Sequence, residues 1–329
     1  MPTLAWDANA DLTPDRGGYG GTVSVLVGSP GSNKYQDLII AADGAPALRS
    51  AMRTVLFASD LNGLNAPNLY IGGAPRIIGM SISAIDPFSQ ANLSNSTVLQ
   101  SGAVLTGGQV VLTGNNVRLD PGATIDTRGY ADVPVLDSSI GYAYGSGRPS
   151  VIASNGRLSL DSSNVSNGTG TISIGTGAGI YSRQSIGLIA PRGVSFEGAP
   201  LLGAKDLELV AAAINLGTAA DLAAARGAGK LPAGFDLTQE MFAALVAGNP
   251  SRNITGVRNL GLYTNSSVNV YGAVNLDLSA LDRLTLNTAS IYGAGTSSDN
   301  AVLKVGSVSY THLTLPTTTL CRSRWSPYH

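Results

Sequence analysis

Thr97 to Gly129, TVLQSGAVLTGGQVVLTGNNVRLDPGATIDTRG, constrains the fold of this chain more than any other stretch. Short apolar beats (Val98-Leu99, Val104-Leu105, Val110-Val111-Leu112, Val117 and Leu119, Ile125) alternate with Gly, Asn, Asp and Ser. No beat is long enough for a helix, and the residues between them tolerate tight turns and positive φ. β-Branched residues and leucine at period two signal strands. A spacing of roughly six to eight residues leaves no room for the crossover helix of an ordinary parallel sheet. A chain that repeats strand and corner without returning as hairpins is most simply a solenoid. Each turn pairs with the turns before and after it, and inward side chains stack in rows. The expected fold is all-β, a right-handed parallel β-helix.

Val308 to His329, VSYTHLTLPTTTLCRSRWSPYH, reads differently. VSYTHLTLPT resembles a translation of the transposon-end adapter of short-read sequencing libraries. CRSRWSPYH resembles the flow-cell adapter that follows it, with Thr318 to Leu320 where an index would fall. Residues 308–329 are therefore read as an artefactual tail and excluded from fold reasoning. With them go Cys321, the only cysteine, and both histidines, His312 and His329. Without thiol or imidazole, residues 1–307 offer no disulfide, no thiolate or imidazole metal ligand, no cysteine nucleophile and no histidine base. No metal and no cofactor is expected.

Charged residues are 12% of the chain and glycines number 41, against about 25% charged and roughly 7% glycine in ordinary globular domains. Ser, Thr, Asn and Gly take the place of charge, which suits a long surface of stacked corners. The 20 Lys and Arg, with Arg322 and Arg324 in the tail, face 21 Asp and Glu. That slightly acidic balance speaks against nucleic acid as a partner. No run approaches the roughly 18 apolar residues of a membrane span. MPTLAWDANADLTP shows no basic region followed by an apolar core, so no signal peptide is read and a truncated gene is the expectation.

Along the chain, residues 1–90 read as irregular N-terminal coils. Strands are expected at Thr22–Val27, Asp37–Ala42, Thr54–Phe57 and Asn68–Gly73, with a helical turn at Asp60–Asn65 capped by Asp60 and a closing coil at Arg76–Ile85. Residues 91–307 form the shaft. Its beats resume at Arg157–Leu160, Thr171–Ile174, Ile186–Ile189, Val194–Phe196, Leu207–Val210 and Ile214–Leu216, and again at Val268-Val270, Leu276-Leu278 and Leu284-Leu286. Two departures interrupt it. Residues 130–150, broken by Pro134, Gly141, Gly145, Gly147 and Pro149, read as a loop excursion. Residues 218–249 read as a helical insertion on the flank of the coil, with Thr218 as one N-cap and Asp236 with Gln239 at capping-box spacing. At roughly 20 residues per coil this gives about ten to twelve coils, a rod of roughly 50–60 Å.

LNAPNLYIGGAPR (Leu64–Arg76), VLQSGAVLTGGQVVLTGNNVRLDPGATIDTRG (Val98–Gly129) and LPAGFDLTQEMFAALVAG (Leu231–Gly248) together resemble the filamentous-haemagglutinin-type exoproteins of Gram-negative bacteria. These are long secreted adhesins exported by two-partner secretion. The resemblance implies a non-catalytic fragment of an adhesin shaft, secreted or held at the cell surface. It also implies an outer-membrane transporter as partner of an export domain, and a cell-surface glycan or protein as ligand. The Asn-Pro-Asn-Leu motif of that export domain is not carried over to Asn65–Leu69. An autotransporter passenger would share the fold. Open ends of such a stack predict self-association.

β-Helices also host polysaccharide lyases and glycosidases, which need carboxylates converging on one groove. Asp126, Asp132 and Asp137, beside Arg128 and Arg148, are the candidates for that alternative; as solvated corner residues they would be inert. Asp277 and Asp282 beside Arg283 read as outward-facing partners. The glycines form no dinucleotide, phosphate-loop or calcium-repeat motif. Sequons such as Asn92 and Asn265 match chance occurrence in a Ser- and Asn-rich chain. Tyr130, Tyr142 and Tyr144, each a flat face with a hydroxyl, are the candidate contact surface for sugars or proteins.

Overall fold

The computed structural model describes residues 21–26, 36–45, 53–78, 81–83, 94–132, 141–143, 148–161, 169–199, 201–294 and 301–312. The chain is mostly strand with few helices, and its sheets are largely parallel. The longest sheet has nine strands among the described residues. Its order is Thr22–Val25, Asn68–Ile71, Gln109–Thr113, Ser150–Ser154, Ser185–Ala190, Asp206–Ala211, Asn259–Thr264, Arg283–Thr288 and Val308–His312. Between visits to it the chain adds strands to two other sets. One is a six-stranded sheet from Arg53–Phe57 to Gly193–Phe196, followed by a four-stranded sheet ending at Ser290–Gly293. The other is a four-stranded sheet from Val104–Thr106 to Leu201–Gly203, followed by the pair Asn275–Leu278 and Val302–Val305.

Register explains why the period-two beats were visible. In the nine-stranded sheet Ile71, Leu112, Val151, Leu188, Leu209, Leu262 and Leu286 lie opposite one another in succession. In the six-stranded sheet Ile40, Leu99, Leu119, Ile174 and Phe196 do the same, and in the four-stranded one Leu105, Ile125, Ile180 and Leu202. All three rows feed one core. A fully buried side chain of this size stabilises by roughly 1.5–3 kcal/mol. At the regular corners the pairing advances by 20 or 21 residues, as with Val104 opposite Thr124 and Ser185 opposite Asp206. Gly102 and Gly122 sit in equivalent corners with φ of 74° and 75°, where a side chain would be strained.

Several expectations are corrected. Ser150–Ser154, placed inside or beside the loop excursion, is a core strand and runs antiparallel to both neighbours. Reversal keeps the alternation of side chains, so Val151 and Ala153 still enter the inward rows. Arg157–Leu160 is not a strand of the body; only Leu160–Asp161 is extended. It joins Gly141–Ala143, Ser81–Ser83 and Arg76–Ile78 in a separate four-stranded sheet, in which the last two form an antiparallel pair and do not close a coil. Leu158 and Leu160 pack on the outer face of the nine-stranded sheet, against Tyr70, Val111, Ile152, Ile189 and Val210. Among the described residues, nine strands at about 4.8 Å span about 40 Å, against the roughly 50–60 Å expected. The first of those nine-strand ends is matched at the other by Val308–His312, which pairs with Arg283–Thr288 although its sequence resembles adapter.

The helices differ from expectation in detail. Helix α1 (Ala58–Gly63) has Phe57 at its N-cap with no side-chain bond, so Asp60 is a first-turn acid facing the dipole and not a cap. Helices α2 (Ala219–Gly227) and α3 (Gln239–Ala247) confirm the two helical stretches within 218–249, but the strand Phe235–Thr238 separates them. Thr218 caps α2 as expected, its hydroxyl accepting from the Asp221 amide at 3.1 Å. The cap of α3 is Thr238, bonded to the Met241 amide at 3.1 Å. Asp236 cannot form a capping box because it lies in the strand, bonded to Asn215 and Arg226. Only α2 lies on the flank, where Leu222 and Ala225 meet Tyr271 in a small satellite cluster. Helix α3 instead inserts Phe242 and Leu245 into the main core. Bulk accounts for the difference: two alanine-dominated turns cover a surface, whereas Phe and Leu fill an interior.

Candidate functional site

The site lies at the corner from which the chain enters the nine-stranded sheet. Backbone hydrogen bonds stack this corner from strand to strand. Asp206 N donates to Gln184 O at 2.8 Å; Arg258 N and Asn259 N both donate to Lys205 O at 2.8 and 3.0 Å; Asp282 N and Arg283 N both donate to Arg258 O at 2.7 and 3.3 Å. Side chains at equivalent corner positions therefore lie one above another. Asn155, 4% exposed, locks the neighbouring loop: its amide donates to the carbonyls of Thr127 (2.5 Å) and Tyr130 (3.0 Å), and its Oδ1 accepts from Thr127 Oγ1 and the Arg183 amide.

An open groove of about 390 Å³ follows this corner, lined by Asp132, Asn155, Arg157, Gln184, Lys205, Asp206 and Asn259. Asp206 is 3% exposed and accepts from Gln184 Nε2 at 2.7 Å and Asn259 Nδ2 at 2.6 Å. Two residues on, Glu208 sits over Gly261, where a Cβ would collide with its carboxylate. Glu208 is 7% exposed and its Oε2 has no hydrogen-bond partner. Burial pushes its carboxyl up to about 7 against the pull of a hydrogen bond with Tyr263, and the charge of Asp206 adds to the rise.

Of the sequence candidates only Asp132 lines the groove, and the described ones form no free catalytic pair. Asp126 is held by Arg128 through Nε at 2.9 Å, Nη2 at 2.6 Å and the backbone amide at 3.0 Å. Burial alone would raise the Asp126 carboxyl, but these bonds to Arg128 outweigh it and hold the group below the usual carboxylate range. Arg128 also lies over the Tyr181 ring at 4.6 Å and donates to Asn253 O at 2.6 Å. This is a bidentate structural pair tying one corner to the end of α3's return loop. Asp132 is paired with Arg183 at 3.0 Å and, of the two described members of the carboxylate trio, is the one that lines the groove. Asp137 and Tyr144 lie outside the described residues. Tyr142 lies in the Gly141–Ala143 strand of the separate four-stranded sheet. Tyr130 is half-buried, its hydroxyl donating to Asn65 Oδ1 at 3.2 Å and lying 3.4 Å from Thr106 Oγ1, so it stitches adjacent corners. The three tyrosines are not brought together as one described face. Asp277 pairs with Lys304 at 3.2 Å on the next strand, and not with Arg283.

Gln184, Lys205, Asp206, Glu208 and Asn259 escaped the sequence reading. For all but Glu208, third in its strand, the one signal was a polar residue just ahead of, or at the start of, successive strands. Comparison of the chain with protein-family models, with curated proteins and with solved structures finds no match in any of the three.

Proposed function

We propose that this chain is a non-catalytic segment of the shaft of a surface adhesin, folded as a right-handed parallel β-helix whose corner groove contacts glycans. The observation that carries this reading is the succession of three inward rows, one on each set of sheets, sharing a single core. A body built by strand-on-strand addition is an extended scaffold, and repeated weak contacts along it gain by avidity. The alternative of a carbohydrate-cleaving enzyme draws less support, since Asp126 and Asp132 each have a basic partner already. Secretion, a cell-surface location and an outer-membrane transporter for an export domain belong to this same proposal.

The test incubates the full chain with a panel of uronic-acid polymers and with whole cells. Attachment to cells without release of reducing ends is the expected result. Release of reducing ends that disappears in Asp126→Ala or Asp132→Ala would establish the enzyme instead.

A further inference from the structure

Five exposed cations lie at this end of the nine-stranded sheet, each beside a different strand, and two of them, Arg157 and Lys205, line the groove. Arg157 follows Ser150–Ser154, Arg183 precedes Ser185–Ala190, Lys205 precedes Asp206–Ala211, Arg258 precedes Asn259–Thr264, and Arg283 opens the next strand. Successive strands are about 4.8 Å apart, so the row covers about 20 Å. Register sets Asp282 level with Arg258 and Lys205, and Arg283 one residue on, opposite Asn259 and in the same row as Asp206.

The charges are not all available. Arg183 is engaged by Asp132 and by the Tyr130 carbonyl, and Arg258 donates to Ala280 O at 3.0 Å. Arg157, Lys205 and Arg283 have no ion pair among the described residues. Of the described acids nearby, Asp132 is spent on Arg183, Asp206 is buried under two amides, and Glu208 is buried within electrostatic reach of Arg283 and Arg157 without an ion pair to either; only Asp282 is exposed and uncommitted. Because Asp206 holds the amide nitrogens of Gln184 and Asn259, their Oε1 and Oδ1 are left to accept hydroxyl groups.

We infer that this corner binds a linear acidic polysaccharide, its carboxylates pairing with Arg157, Lys205 and Arg283 and its hydroxyls with the amides of Gln184 and Asn259. Arg157, Lys205 and Arg283 lie by every second strand, about 10 Å apart along the sheet, a spacing that a polymer of repeated carboxylates can meet, and guanidinium groups suit planar carboxylates. Nucleic acid fits less well. The described groove lining offers no aromatic ring on which bases would stack. The inference rests on the adhesin reading in one respect: the polymer is held, not cut.

The experiment measures equilibrium binding of the full chain to immobilised polygalacturonate, with neutral dextran and duplex DNA as parallel surfaces, across a salt series. Saturable binding to polygalacturonate and none to dextran is expected. The triple variant Arg157→Gln, Lys205→Gln, Arg283→Gln should bind about tenfold more weakly or worse, with a salt slope smaller by roughly 2, as for the loss of three ion contacts. The triple variant Arg118→Gln, Arg192→Gln, Lys230→Gln removes the same charge elsewhere and should bind as the parent does; circular dichroism establishes that both are folded. No binding to polygalacturonate, equal loss in both triples, or tighter binding to DNA would each overturn the inference. Cleavage of the bound polymer would overturn the non-catalytic reading while leaving the cation row intact.

Discussion

The two sides of the strand Asp206–Ala211 are buried to the same extent and carry opposite chemistry. Leu207, Leu209 and Ala211 face the main core; Asp206, Glu208 and Val210 face the other way, yet are only 3%, 7% and 3% exposed. On the inner side, rows of aliphatic residues make burial favourable at every step. On the outer side, Val210 continues an apolar stripe through Ile189 that meets Leu158 and Leu160, so the outer side has become a second, smaller interior. Its polar members then need partners. Asp206 has two, while Glu208 keeps one oxygen unsatisfied. A buried polar group is costly in proportion to what it fails to bond. The comparison teaches that alternation assigns residues to sides of a sheet, but what lies over each side decides their energetic role.

The largest effect is expected from the inner side. Leu209→Ala should destabilise by about 2–5 kcal/mol in urea unfolding, since the neighbouring rows above and below cannot collapse into the gap. A loss under about 1 kcal/mol would break the comparison by showing the inner row to be loosely packed. Glu208 comes next and has the opposite sign. Its folded value of about 7 lies above the ordinary carboxyl value of 4.5, so between those limits the native state binds more protons than the unfolded one. Stability from this group is therefore greatest below about pH 4.5, falls as pH rises, and levels off above about 7, with a total near 3 kcal/mol. Glu208→Gln should raise stability at pH 8 and flatten the dependence between pH 5 and 8; an unchanged slope would mean the outer side is wetter than its burial implies. Ile152→Val, on the outer stripe, should cost about 1 kcal/mol. Smallest of all, Lys205→Ala at the exposed corner should change stability by no more than about 0.5 kcal/mol, separating groove chemistry from folding.

What could be read from the chain follows the same division. The inner rows were legible because Leu105, Leu119, Ile125, Ile174 and Leu207 recur with turn residues between them, and period two is a local property. The strand Ser150–Ser154 was not, because its apolar core Val151-Ile152-Ala153 follows Pro149 and Gly147, and nothing local tells a reversed strand from a loop. The partition of α2 and α3 was hidden for a related reason: both helices showed caps and apolar faces, and only the surrounding sheets specify which face meets the core. Of the groove, Asp132 was named beforehand. Arg157, Arg183, Lys205, Arg258 and Arg283 are separated by irregular intervals, so their gathering at one end of the sheet shows only once the strand order is known. Asp126 was noticed for its charge, but its bond to Arg128, two residues away, makes it a structural group.

Stacking along a single axis is tested most directly by distances between spin labels, with Cys321→Ser as background. Arg118 and Ser195 face outward two strands apart, in the row through Ser173. Tyr292, 61% exposed, ends the row through Asn215 and Asn269 on the sheet that follows. With Phe235–Thr238 packed beside Gly193–Phe196, Tyr292 lies about four strand spacings from Ser195 and about six from Arg118. Narrow distributions are predicted near 20 Å for Ser195/Tyr292 and near 30 Å for Arg118/Tyr292, growing by about 4.8 Å per strand. Broad distributions, or an Arg118/Tyr292 distance no longer than the Ser195/Tyr292 one, would contradict a continuous stack.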